Sequence, residues 1–249
     1  MSLIAEITST LLPGKITGIQ VGFTRTAVLA ETTKGLSCGL AATFSSPGFD
    51  HRSRPSVKDA GHLLEFSTAE ILALTSSPSQ TEVSIGLAAI NALLPMDFQN
   101  EIEINAEEYL RQNANDKNIA MVGHFVFVES LRPDVKNLWV LELNPQPGDF
   151  DASQAPEIIP QADLVVITAT TLINGTFEDL MALRKPHTKV MLLGPSTPLS
   201  PILFDHGIDI LSGTIVTDPQ AVMLGISQGA SSHQLKQEGY LRRVTLQKP

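Results

Sequence analysis

The sequence predicts an α/β protein in two parts: a small α+β domain over residues 1–104, then a Rossmann-like domain with a parallel sheet over residues 105–249. Three observations carry that expectation. Apolar and polar residues alternate between residues 19 and 42, as half-buried antiparallel strands require. Later, four uninterrupted apolar runs recur with helix-length segments between them, the pattern of strands covered on both faces. The change from one pattern to the other falls near residue 105.

The elements follow in order. Leu3, Ile4, Ile7, Leu11 and Leu12 recur at helical spacing until Pro13-Gly14, which gives a short amphipathic helix. Ile19, Val21 and Phe23 then alternate with Gln20, Gly22 and Thr24. After an ETTKG turn, so do Leu36, Cys38, Leu40 and Ala42, an antiparallel hairpin signal. Residues 43–66 show no period, and a loop of that length is expected to be a lid, a binding loop or a mobile segment. Two helix starts are written as capping boxes, Ser67 with Glu70 and Ser79 with Glu82. The second helix carries Val83, Leu87, Ile90 and Leu94, and Pro95 closes it; Asn91 shares that stripe, so its amide needs a partner.

Beyond residue 105, NAEEYLRQNANDKN reads as a helix. The four apolar runs are IAMV (119–122), LWVL (138–141), LVVI (164–167) and VMLL (190–193), with IDIL (208–211) as a weaker fifth. Asp218-Pro219 pairs a cap with a proline in the first turn, starting a helix that ends near Gly229, and YLRRVTL closes the chain as an edge strand.

Composition narrows the function. The formal charge is -9, from 17 Lys and Arg against 26 Asp and Glu, the wrong sign for a phosphate-backbone footprint, so no nucleic-acid partner is expected. Cys38 is the only cysteine, which rules out an internal disulfide and a thiolate zinc site. No apolar run approaches the ~18 residues a membrane span needs, and the first residues lack the charge that precedes a signal-peptide core. The expectation is a cytoplasmic protein without a membrane partner. Homo-oligomerisation is left open.

In open α/β sheets ligands bind beyond the carboxyl ends of the strands, near the point where strand order reverses. That rule selects Gly123, His124 and Phe125 after the first run. It also selects Glu142, Asn144 and Asp149 after the second, Thr168, Thr171 and Asn174 after the third, and Gly194, Pro195, Ser196 and Thr197 after the fourth. Glu142 lies 19 positions after Gly123, a spacing that suits an acid on a ribose hydroxyl; yet the loop reads GHFVFV, not the GxGxxG of a dinucleotide site. Thr176 with Asp179 reads as a helix cap, which leaves Thr168, Thr170, Thr171 and Asn174 for local turn bonds or for a ligand. Ser196 and Thr197 stand at the approach to a helix whose amides would favour an anion. No GxSxG elbow is present. The six histidines form no HExxH or HxxxH pair, so any metal site would be dispersed: His124 with Glu142 and Asp149, a set suited to hard or borderline cations.

Taken together, GLAAINALL (86–94), VGHF (122–125), LELNPQPGD (141–149), ADLVVITATTLINGTFEDL (162–180), LLGPSTPLSP (192–201) and LSGTIVTDP (211–219) resemble the "putative heavy-metal chelation" family. The resemblance covers nearly the whole chain. It implies an enolase N-terminal-like domain followed by the Rossmann-like one, and an interdomain cleft lined by the strand-end loops. The implied occupant is a metal ion, as a divalent transition metal, or a metal-chelating or anionic small molecule. An enolase-like module without its barrel cannot perform enolase chemistry, so whether the chain is an enzyme stays open. Two further readings stay open beside this one: a transferase using a nucleoside-containing cofactor such as S-adenosylmethionine, and a non-enzymatic subunit or scaffold.

Overall fold

A computed structural model of the protein describes residues 3–44, 56–98, 101–102 and 104–249. Residues 45–55, the heart of the 43–66 loop, lie outside the described residues, and the lid expectation with them. The chain forms two compact units: Met1–Asp97 with Pro195–Ile202 and Gly213–Arg242, and Phe98–Gly194 with Leu203–Ser212 and Arg243–Pro249. No helix among the described residues is long and apolar enough to cross a membrane.

The first unit begins with α1 (Leu3–Thr8) and a three-stranded antiparallel sheet of β1 (Gly14–Val21), β2 (Arg25–Thr32) and β3 (Gly35–Ala42), in that order. The expected alternation around residue 23 runs across a turn instead: β1 stops at Val21, and Phe23, placed between strands, is 92% exposed. Two hairpins therefore stand where one was expected. The α-helices α2 (Thr68–Ala73) and α3 (Gln80–Leu93) follow. Ser67 and Glu70 form the anticipated capping box on α2. Ser79 and Glu82 do not, because each finds a partner far along the chain: Ser79 donates to the Ser56 carbonyl, and Glu82 accepts from the Ser77 hydroxyl and the Lys58 amide. On α3 the apolar stripe widens until nearly the whole helix from Thr81 to Leu93 is buried. Gly39 explains how it fits, since a Cβ there would fall 2.1 Å from the Ala88 carbonyl oxygen and 2.2 Å from the Ala92 nitrogen.

The second unit carries an eight-stranded sheet. Its elements in chain order are β4 (Glu101–Ile102), α4 (Ala106–Asn113), β5 (Asn118–Val122), α5 (Val128–Leu131), β6 (Asn137–Glu142), β7 (Phe150–Asp151), α6 (Ala155–Ile158) and β8 (Leu164–Thr168). Then come α7 (Thr171–Asn174), α8 (Phe177–Ala182), β9 (Lys189–Leu193), α9 (Ile202–Asp205) and β10 (Ile210–Val216). The helices α10 (Pro219–Ser227) and α11 (Ser232–Gln237) belong to the first unit, and β11 (Leu241–Gln247) ends the series. Val222, Ile226 and Leu235 from these two helices pack with Ala27, Cys38 and Leu40, so the small sheet is covered by α3 on one face and by α10 and α11 on the other. Asp218 caps α10 through the Ala221 amide, as the Asp-Pro pair suggests.

Strand order in the large sheet is β4-β11-β10-β9-β8-β5-β6-β7. The four apolar runs form β5, β6, β8 and β9, which pair in parallel. Their central residues are buried because Leu110, Val128 and Leu131 pack with Ile119, Met121, Val140 and Val166 in one cluster. The closing strand corrects the expectation of an edge: β11 lies between β10 and β4, pairing antiparallel with Glu101 and Ile102. Only a two-residue strand was needed to cover it, too short to show a period in the sequence.

Candidate functional site

From β5 the chain steps to β6 and β7 on one side, then returns to β8 on the other side of β5 and continues to β9 and β10. Strand order therefore reverses between β5 and β8, and the loops leaving their carboxyl ends diverge there. Gly123 and Thr168 meet at that point. Gly123 has φ +103, and a Cβ on it would lie 3.1 Å from both Cβ and Cγ2 of Thr168, so only glycine allows the turn and the approach together.

The next residue is the most chemically distinctive. His124 places Nδ1 2.9 Å from Asp149 Oδ2 and 3.0 Å from Oδ1, and its backbone N–H donates to Glu142 Oε1 at 2.9 Å. Since a carboxylate only accepts, Nδ1 carries the proton, and in the neutral form of the ring Nε2 keeps its lone pair. The Asp149 side chain has no exposed surface, whereas that of His124 is 21% exposed. Asp149 Oδ2 also accepts from the Gln146 amide at 3.1 Å, which fixes the carboxylate from the loop's own backbone. Glu142 spends both oxygens on backbone donors, His124 N–H and Leu143 N–H, each at 2.9 Å. A ribose would have to displace those bonds.

Phe125 is half-buried, packs toward the core of this unit and stacks on Phe127, ring centroids 5.5 Å apart. Asn144 is exposed, with no hydrogen bond among the described residues. Two apolar neighbours escaped the sequence reading: Val126 is 98% and Leu143 63% exposed, so the histidine loop and the glutamate loop each hold a hydrophobic side chain in solvent. An apolar residue inside a polar loop was the available signal.

After β8 the threonines turn largely on one another. Thr168 and Thr170 share a hydroxyl–hydroxyl bond of 3.0 Å, and Thr171, buried, donates to the Thr168 carbonyl at 2.7 Å. Asn174 accepts the Thr176 hydroxyl at 2.8 Å and the Thr176 amide at 3.2 Å. Thr176 is thereby not the side-chain cap that its spacing to Asp179 suggests: Gly175 adopts a left-handed conformation, and the following helix starts without a side-chain cap bond. The competing acceptor, Asn174, was two residues away.

The chain passes from the second unit to the first between Gly194 and Pro195. Gly194, φ +125, donates to the Ser212 carbonyl at 3.0 Å. In the first unit Ser196 is buried, its hydroxyl accepting the Ala42 amide at 2.8 Å while its carbonyl takes the Asn91 side-chain N–H at 3.4 Å. Asn91 also donates to the Leu40 carbonyl at 2.8 Å, the partner its place on the stripe demands. Thr197 is buried, its hydroxyl unpaired among the described residues, and α9 begins only at Ile202.

A side-chain cage for a bare heavy-metal ion does not fit these residues. Among the described residues no group of three or more His, Cys, Asp and Glu side chains is arranged to hold an ion. Cys38, the one thiol, is buried, and burial pushes it up to about 12.

Known proteins resemble the chain throughout. An uncharacterised protein of Methanocaldococcus jannaschii is 27% identical over 227 residues, 88% of this chain and 85% of that one. A crystal structure from Desulfitobacterium hafniense, of a protein with unknown function from the DUF364 family, superposes with a TM-score of 0.79 at 26% identity, covering 99% of this chain and 97% of that one. Another of that family, from Pyrococcus horikoshii, gives 0.82 at 20% identity over 98% of both chains and shares the fold. A second family model, also described as "Putative heavy-metal chelation", matches residues 4–94. With the DUF364 model, described as "Putative heavy-metal chelation", matching residues 105–245, more than half its length, the chain belongs to that family.

Proposed function

We propose that this protein binds a small metal chelate at the carboxyl edge of the second unit's sheet, where β5 and β8 diverge, and that His124 supplies the one protein donor to the metal. The observation that carries the reading is the His124–Asp149 pair, in which a side chain without exposed surface orients a part-exposed imidazole. Histidines that ligate metals commonly hold their other nitrogen on a carboxylate in this way, which fixes the tautomer and raises ligand basicity. A single imidazole is a weak site for a bare ion. It suits a metal that arrives with most of its positions filled by an organic ligand, and that accommodates the family description with a chain that has a single thiol. The Thr168–Thr170 hydroxyls and the Asn174 amide offer neutral hydrogen bonds to the organic part.

Isothermal titration of tag-free protein with nickel(II) nitrilotriacetate, free nitrilotriacetate and nickel(II) alone tests the reading. Saturable binding of the chelate, one per chain, tighter than either component and lost in His124→Ala, is expected. Chelate binding that survives His124→Ala, or no chelate binding at all, would overturn it.

A further inference from the structure

The opposite edge of the same sheet holds a cavity of about 370 Å³ that the chelate site does not use. Its lining includes Arg184, His187, Lys189, Gly207, Asp209 and Lys248. Lys189 is the first residue of β9, and Asp209 immediately precedes β10, so the cavity lies at the amino ends of two parallel strands whose carboxyl ends face the other way. We propose that it is a second, separate binding site, for a small molecule carrying a phosphate group.

The charge around it runs against the chain as a whole. Three cationic side chains gather on one cavity of a protein whose formal charge is -9. The only carboxylate in the lining, Asp209, already accepts the Val190 amide through Oδ2 at 2.8 Å. Lys248 is anchored at both ends, its backbone N–H on the Asp209 carbonyl at 2.8 Å and its Nζ on the Phe204 carbonyl at 3.0 Å. Arg184 has a buried donor left over. Its Nε is buried and meets no acceptor among the described residues. Its guanidinium lies against Gly207, where a Cβ would come within 2.3 Å of Nη2, and the φ of +83 at that position favours glycine. The fold thus sets a planar cation at the cavity with one buried donor unmatched, while the carboxylate in the lining, Asp209, is held by the Val190 amide.

A guanidinium donates to a tetrahedral oxyanion through two parallel N–H groups, and lysines beside it add point charge, which is why this combination recurs at phosphates. Small-molecule sites run from about 300 to 1,000 Å³. At the lower end of that range, the cavity takes a phosphate and a short organic body, and it is too small for a dinucleotide.

Titration of the full chain with inorganic phosphate and with glycerol 3-phosphate, at constant ionic strength in chloride, decides the matter. Saturable binding of either probe is expected, weakened about tenfold in Arg184→Gln and in Lys189→Gln, as loss of a charge-assisted contact predicts. Tighter binding of glycerol 3-phosphate would identify a phosphorylated metabolite, and equal binding the free ion; both support the site. Arg184→Gln should leave binding of the nickel chelate unaltered, which separates this site from the first. Lys189 is exposed, so its variant folds even if Arg184→Gln does not. Absence of binding by both probes, or wild-type affinity in Lys189→Gln, would overturn the proposal.

Discussion

Asparagine at position 149 tests how the imidazole is held. Asp149 Oδ2 accepts from His124 Nδ1 at 2.9 Å and from the Gln146 amide at 3.1 Å, and among the described residues Oδ1 accepts only from Nδ1, at 3.0 Å. An asparagine with its carbonyl in the place of Oδ2 keeps an acceptor for Gln146 and for Nδ1, but it puts an NH2 group in the place of Oδ1, 3.0 Å from the same Nδ1. Two donors then face each other. Either the ring loosens, or the proton moves to Nε2 and the nitrogen proposed as metal donor loses its lone pair. Hydrogen bonds to a charged group contribute about 1.5–3 kcal/mol each, and a neutral acceptor about 0.5–1.5. Asp149→Asn should therefore cost about 1–3 kcal/mol of stability, read as a lowered urea midpoint at unchanged slope. Chelate affinity should fall about 10–100-fold, the usual effect of losing the partner behind a ligating histidine. Nitrogen-15 NMR of the imidazole distinguishes the two routes, because it reports which ring nitrogen carries the proton. Chelate binding within twofold of wild type in a folded Asp149→Asn protein would refute the reasoning, since orientation by Asp149 would then not matter.

Three further outcomes follow from the packing and the ionisable groups. Gly39→Ala places a methyl against backbone atoms of α3 that cannot swing aside, so it should cost about 3 kcal/mol or more in urea unfolding, whereas Gly35→Ala, with open space around it, should cost less. Cys38, raised from 9.0 to about 12, should alkylate at pH 8 roughly a thousandfold more slowly than an ordinary thiol until the protein unfolds; mass spectrometry of iodoacetamide-treated protein at increasing urea checks this. The Ser67 hydroxyl, and then the Ser67 amide, hold Glu70 below its usual 4.5. A depressed folded value adds stability that is complete above the ordinary value and disappears as pH falls through the folded one, so the gap in urea midpoint between wild type and Ser67→Ala should narrow from pH 6 to pH 3.

The sequence made plain those features decided by neighbours along the chain. Apolar runs wrapped on both faces became β5, β6, β8 and β9, and Asp218-Pro219 became a capped helix start, because burial and capping act over a few residues. Features settled by distant partners were hidden. Ser79 and Glu82 carry the letters of a capping box, but Lys58, Ser77 and Ser56 compete for them and win. Nothing in YLRRVTL reveals that a two-residue strand will cover its outer edge. At the strand ends the same division holds. That Gly123 must turn is legible in a glycine after an apolar run, while Glu142 being held by the His124 amide, and the Ser196 hydroxyl by that of Ala42, depends on loops meeting in three dimensions.

Subtracting the bonds that build the loops leaves a particular kind of surface. The carboxylates of Glu142 and Asp149 are engaged with N–H donors, and what remains beside β5, β6 and β8 is neutral: His124 Nε2, the Asn144 and Asn174 amides, and the outward valences of the Thr168–Thr170 pair. A bare divalent cation draws its affinity from anionic donors, so this set selects for a metal already neutralised by its own ligands. The charge of -9 adds a kinetic consequence, because such a chain repels an anionic chelate at long range. Salt should relieve that repulsion. Raising ionic strength from about 20 to about 200 mM shortens the Debye length from roughly 20 to 7 Å, and the association rate of the nickel chelate should stay level or rise. A steep fall in rate over the same range would mean that a cationic surface steers the ligand, and it would shift the chelate from the histidine loop to the basic cavity at the other edge.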